Sequence, residues 1–296
     1  MILITGATGR SSGMIVREFI RQKKRIRVLV RNRFEAKEFE NNSLVELVEG
    51  NIANRESLGI ALDKVDKVLL ISSPRGNMLE AQCLFIDSAK SAGVPHIVKF
   101  SGAESGIGFD PNRFIGTRQH EDIEKYLEQS GLSWTHLRPS QFMQVYLDEV
   151  PSITETGELR RPMGESQLAP VDLEDVAKIA VALLLQEGHQ GKSYNVTGPE
   201  ALTMREVADR LSEASNQLIR YVDISPDEHA SALKSAGTPG PFVELLKGLY
   251  AERRRCLRSD VKVNTHEVFG VRPTAFLDFA RKHRNAWTHR SNESGL

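Results

Sequence analysis

Along residues 1–140, short apolar runs alternate with longer stretches of helical spacing. The short runs are Met1–Thr5, Arg27–Val30, Leu44–Val48, Lys67–Ser72, His96–Ser101 and Trp134–Leu137. Between the first two, Ile15, Val16, Phe19 and Ile20 recur on one helical face. Glu80–Ala92, ending at Gly93, and Gln119–Gln129, closed by Ser130 and Gly131, predict two further helices. Strands of this length alternating with helices predict βαβ units, a parallel sheet and right-handed crossovers.

Beyond about residue 140 the alternation loosens. Asp172–Gln186 predicts a long apolar helix with acidic residues in its first turn, and Tyr194–Val196 a strand. Thr203–Ser215 predicts a helix whose N-cap is Thr203, with Glu206 placed to complete a capping box. Arg220–Ile224 predicts a strand, and Pro226–Tyr250 helical segments broken at Thr238–Pro241. Ala275–Trp287 predicts a closing helix. The division expected is a domain over residues 1–140 and, over 141–296, the remaining sheet elements with a small mixed lobe. That lobe should pack at the C-terminal edge of the sheet, where such folds hold ligands.

Composition narrows the classes. A hydrophobic fraction of 40% over 296 residues is enough to bury a sizeable core. Lys plus Arg equals Asp plus Glu, at 39 each, so no overall charge draws the chain to nucleic acid or acidic membranes. The two cysteines, Cys83 and Cys256, fit no metal or redox spacing, so no metal is expected and a reducing compartment is. No apolar run approaches the roughly 20 residues of a membrane span, and no signal-like segment precedes the first strand. A cytoplasmic protein is the expectation.

The candidate chemistry begins at L-I-T-G-A-T-G-R-S-S-G, where the first strand meets the first helix. Gly6 would let the chain turn tightly, and Gly9 would let backbone approach a pyrophosphate at the helix N-terminus. Thr8, Arg10 and Ser11 complete the turn. Ser12 stands where a third glycine is usual; it is small enough for close packing, and its hydroxyl offers a phosphate contact. The turn therefore predicts a dinucleotide in a Rossmann-type, doubly wound α/β fold. The second strand ends V-L-V-R-N-R, with Arg31 and Asn32 where an acidic residue would select NAD. An arginine there suits a 2′-phosphate, so NADP(H) is expected ahead of NAD(H), the plainer alternative being a solvated basic loop. Asn51 and Ile52, after the third strand, would flank the adenine. Ser72, Ser73 and Pro74, after the fourth, would line the path to the nicotinamide.

These stretches, with S-A-G-V-P-H-I-V-K-F-S, S-G-L-S-W-T-H-L-R-P-S-Q-F-M, P-V-D-L-E-D-V-A and Y-N-V-T-G-P-E-A-L-T, make the chain resemble the NmrA-like atypical short-chain dehydrogenase/reductases. The resemblance runs over about residues 1–287, and Ser12 resembles the agroclavine-dehydrogenase-like branch in particular. It implies the fold and an NADP(H) site. It also implies one of two roles: an NADPH-dependent reductase of quinones, azo or triphenylmethane dyes or iminium ions, or a catalytically silent redox sensor that binds a protein partner. The reductase role needs only a small-molecule substrate, and a homodimer is compatible with either.

The larger superfamily pairs a tyrosine with a lysine four residues on. The tyrosine protonates the developing alkoxide, and the lysine lowers its pKa. None of the five tyrosines here has that lysine. Alignment with the superfamily's catalytic helix puts Gly116 at the tyrosine position and His120 at the lysine position, while Ser101 matches the active-site serine. Reducing a quinone or a cationic iminium demands chiefly oriented hydride delivery, so the missing pair favours such acceptors or no catalysis. His120 is then a candidate proton donor near neutral pH, a ribose contact, or a bystander on its helix. Phe142 and Met143 would line the substrate pocket, the alternative being core packing. Asp172 is expected as a helix N-cap, and Arg253–Arg255 as a solvated helix face.

Overall fold

The computed structural model describes residues 1–73, 77–102 and 109–288. Its strands are β1 (Ile2–Ile4), β2 (Ile26–Val30), β3 (Val45–Glu49), β4 (Lys67–Leu70), β5 (His96–Phe100), β6 (Ser133–Pro139), β7 (Glu158–Arg161), β8 (Lys192–Val196) and β9 (Arg220–Asp223). Seven of them form one parallel sheet in the order β3-β2-β1-β4-β5-β6-β8. The chain winds outward from β1 to β3, then returns to β4 on the other side of β1. The ends of β1 and β4 therefore form the switch point at which doubly wound sheets open a ligand crevice.

Central strands such as β2 and β5 are buried along their whole length because helices cover both faces. On one face the Arg10–Arg21 and Leu173–Leu185 helices pack against each other, sealing a core that includes Ile15, Phe19, Val28, Val98 and Ile179. The Met78–Ser91 and Ile115–Gln129 helices cover the other face through Phe85, Ile86, Ile123 and Leu127. Phe19 and Phe85 are wholly enclosed, and each such burial contributes about 1.5–3 kcal/mol.

The smaller lobe is built on the parallel pair β7–β9 and the Met204–Ser215 helix, with a core of its own around Tyr146, Leu159, Leu211 and Phe276. Three features depart from expectation. β7 is a strand although E-L-R-R is mostly polar; only Leu159 and Arg161 turn inward. The helix expected from Gln119 starts at Ile115, directly after Phe114 in extended backbone. The closing helix divides at His283 into Phe276–Lys282 and Arg284–Trp287. Among the described residues no helix is long and apolar enough to cross a membrane.

Candidate functional site

Thr5 ties the switch point together. Its hydroxyl donates to the Ile71 carbonyl at 2.6 Å and accepts from the Ile71 amide at 2.8 Å. The next residue, Gly6, has φ +65°, and a Cβ there would lie 2.9 Å from the Ile71 carbonyl oxygen. Only glycine meets both conditions. The turn closes with the Gly9 amide on the Gly6 carbonyl, and Gly9 then begins the Arg10–Arg21 helix. That helix has no side-chain cap and no acidic residue in its first turn. Its N-terminus, the positive dipole end, borders a groove of about 370 Å³ lined by Thr8, Gly9, Met14 and Gln144, with Glu35 and Glu38 on its wall.

The rest of the expected dinucleotide path has mixed geometry. Arg31 is exposed and makes no hydrogen bond or ion pair to any described residue. Arg33, by contrast, is tied to the Leu47 carbonyl. The Asn32 side chain is engaged in capping the turn that follows it. Asn51 is folded into a local turn by the Ala53 amide, and Gly50 before it leaves no room for a Cβ against Ser57. Ile52 is half-buried. Ser72 accepts from Gln82, Ser73 is exposed beside it, and Pro74 lies outside the described residues. Arg10 is paired with Asp148 at 2.8 Å and also reaches the Gln144 carbonyl. Ser11 is half-buried. Ser12 corrects an expectation: its hydroxyl is buried without a partner among the described residues. It serves the close packing of the turn and does not face a phosphate. The bare backbone at Gly6, the open helix N-terminus and the unpaired Arg31 fit a phosphorylated dinucleotide.

At the end of β5, Ser101 and His120 come together around a residue the sequence reading passed over, Lys99. Its side chain is wholly buried, with Nζ 3.0 Å from His120 Nδ1 and 3.3 Å from Ser101 Oγ. Ser101 in turn donates to Glu124, whose carboxylate also receives the Arg138 guanidinium at 3.0 Å. Burial pushes the Lys99 ammonium down to about 7, opposed by Glu124 and reinforced by Arg138. Burial, with Lys99 adding to it, holds His120 well below its ordinary value. The ring is therefore neutral near neutral pH, so of the readings offered for His120 a proton donor would have to act from the neutral imidazole. Glu124 stays below its ordinary value despite burial, because Arg138 and Ser101 stabilise the carboxylate.

At Gly116, expected at the superfamily's tyrosine position, the space is taken by a ring from just before the helix. A Cβ on Gly116 would lie 2.6 Å from the Phe114 ring. That ring is buried edge-on against Phe109 at 6.2 Å and is backed by Gly248 of the Gly240–Arg255 helix. The same helix binds the Asp110 amide through Glu252 and lays the Arg253 guanidinium over Phe109. Arg253–Arg255 is therefore a solvated face only in part: Arg255 is exposed and Arg254 half-buried, but Arg253 turns inward. Arg253 is buried, Arg254 pairs with Asp223, and Arg255 with Glu252. Their shared helix folds back onto the site, which their spacing in sequence does not reveal.

The two expected substrate residues separate. Phe142 is half-buried, 6.4 Å from Phe100 at the end of β5. Met143 is fully enclosed in the core of the smaller lobe, so it cannot touch a substrate as expected. The turn of Met143–Glu149 sends consecutive side chains to different sides, and this one goes inward. Asp172 is an N-cap, accepting from the Glu174 amide at 2.9 Å.

A family model, the NmrA-like family, matches residues 1–251. The chain belongs to the NmrA-like family. Among its NmrA-like relatives, a NAD(P)H azoreductase of Xenophilus azovorans is 32% identical over 97% of this chain and 99% of its own length. A (4-alkanoyl-5-oxo-2,5-dihydrofuran-3-yl)methyl phosphate reductase of Streptomyces griseus is 34% identical over the same shares. A solved structure of the Escherichia coli NADPH-dependent quinone oxidoreductase QOR2 with NADPH superposes at a TM-score of 0.84. It is 27% identical and covers 96% of this chain and 99% of that one.

Proposed function

We propose that this chain is an NADPH-dependent reductase that delivers hydride to a conjugated, electron-poor acceptor, without a Tyr–Lys pair. The observation that carries the reading is the Phe114 ring against Gly116, which leaves no room there even for a Cβ. A ketone reductase lacking that tyrosine would leave its alkoxide unprotonated. A quinone, azo dye, triphenylmethane dye or iminium makes a weaker demand. Azo and quinone substrates are also named for relatives of this chain.

NADPH, when bound, supplies the hydride. Gly6, Thr8, Gly9 and the first amides of the Arg10–Arg21 helix would hold its pyrophosphate, and Arg31 its 2′-phosphate. Asn51 and Ile52 would flank the adenine, with Ser72 and Ser73 on the path towards the reacting end. Phe142, open on one side, would orient a planar acceptor, since placing the reacting atoms in contact supplies much of the rate. Cys83 and Cys256 are not joined in a disulfide, which accords with the cytoplasmic setting proposed.

The test is NADPH oxidation against a panel of quinones, azo dyes, triphenylmethane dyes and cyclic imines, with NADPH binding measured on the same sample. Turnover with one class or more is expected. Tight binding with no turnover would replace this reading with the NADP(H) sensor and its protein partner. Absence of binding would mean that the turn at Gly6–Ser12 holds no dinucleotide.

A further inference from the structure

Lys99 is used by neither the cofactor turn nor the acceptor pocket, yet the fold encloses it completely in the centre of the sheet. A buried ammonium is costly unless other groups satisfy it. Its hydrogen-bond partners among the described residues are both candidate catalytic side chains, His120 Nδ1 and Ser101 Oγ. Glu124, the carboxylate that acts on it among the described residues, is already bound by Arg138 and Ser101. The charged and titratable groups around Lys99 are Glu124 and His120 from the Ile115–Gln129 helix, Arg138 from β6 and Cys83 from the Met78–Ser91 helix. Among the described residues no carboxylate makes a direct salt bridge to Lys99, and its Nζ lies 3.0 Å from the imidazole.

An ammonium only donates, so while Lys99 is charged the Nδ1 of a neutral His120 must accept. The proton of that ring then sits on Nε2. We infer that Lys99 positions His120 as its Nε2–H tautomer and is the proton reservoir behind it during reduction. The inference rests on the reductase reading above. A quinone that has accepted hydride is a hydroquinone anion. His120 Nε2 gives its proton to the anionic oxygen, and Nδ1 takes one from Lys99. The products are a neutral hydroquinone, a neutral imidazole protonated on Nδ1 and a neutral amine, and solvent later restores the Lys99 proton. Because Lys99 holds its proton only below about 7, this supply fails as the pH rises through that range. The cation of a triphenylmethane dye becomes a neutral leuco dye on hydride addition alone and draws on no such proton.

Two measurements test this on the full chain, each with Lys99→Met and Lys99→Gln; glutamine keeps a donor for Nδ1 but carries no titrating proton. The first is nitrogen NMR of the His120 ring in the cofactor-free protein. The wild type should show the Nε2–H tautomer, with an Nδ1 signal that moves around pH 7. In Lys99→Gln the tautomer should persist and the movement disappear; in Lys99→Met both should be lost. An Nδ1–H tautomer in the wild type, or an unchanged movement in Lys99→Gln, would overturn the inference. The second is turnover of a neutral quinone and of a triphenylmethane dye across pH. The ratio of quinone to dye turnover should fall above pH 7 in the wild type, and by about 100-fold in both variants at lower pH. Dye turnover with an unmoved quinone ratio overturns the role of Lys99 alone. Silence of the wild type towards both acceptors overturns the reductase reading and the proton supply with it.

Discussion

Two helices lie side by side on the same face of the sheet and begin in opposite ways. The Leu173–Leu185 helix is capped by Asp172, which accepts from the Glu174 amide, and carries Glu174 and Asp175 in its first turn. The Arg10–Arg21 helix has neither cap nor acid, and its first residues border a groove. Every helix must satisfy its first amides or leave them to solvent or a ligand. One of these helices answers with its own side chains, and the other keeps its amides open. In this pair the uncapped start beside Gly6 and Gly9 borders the groove, whereas the completed cap at Asp172 serves its own helix.

The largest expected effect separates the two starts directly. Gly6→Ala puts a Cβ in a left-handed backbone conformation and 2.9 Å from the Ile71 carbonyl. The conformation alone costs roughly 1–2 kcal/mol, and the overlap adds to it. NADPH affinity should fall by more than about 100-fold, read by fluorescence titration alongside a melting curve. An unchanged affinity would remove the turn from the site. Next comes Arg31→Asp, which removes one charge-assisted partner of a 2′-phosphate. NADPH affinity should drop by about 10- to 100-fold while NADH affinity holds, corresponding to roughly 1.5–3 kcal/mol. An equal loss for both dinucleotides would return Arg31 to the solvated loop. The smallest effect belongs to the capped helix. Asp172→Ala should lower unfolding free energy by about 1 kcal/mol in a urea titration and leave NADPH affinity within about twofold. A large loss of affinity there would erase the contrast between the two helices.

Much of the sheet was legible because strand and helix are written at short range. Val28, Val30, Val98 and Phe100 are one side of two-residue alternations, and Ile15, Val16, Phe19 and Ile20 one side of a helical repeat. The capping box at Thr203 and Glu206 is equally local and is present. The polar strand β7 escaped because its partner β9 lies some sixty residues on and its inward face has only two residues. At the site, the signal for Lys99 was available in H-I-V-K-F: a lysine in the middle of a central parallel strand is anomalous, since such strands are buried on both faces. Nothing in the chain order marks Phe114 as the occupant of the space beside Gly116.

By itself, then, the sequence determined the alternation of strands and helices, the glycine turn with its open helix start, the arginine at the end of β2 and the missing Tyr–Lys spacing. Each depends on residues within a few positions of one another, where backbone sterics and helical or strand period set the geometry. The tertiary structure alone decided that Met143 faces the core of the smaller lobe and that Ser12 is sealed beneath its turn. It also brought the Gly240–Arg255 helix back to support Phe114, and it set Lys99 against His120 across 21 residues. Those outcomes depend on which elements become neighbours and in what register. Packing of the whole chain chooses that arrangement, by enclosing apolar surface while leaving each buried charge a partner.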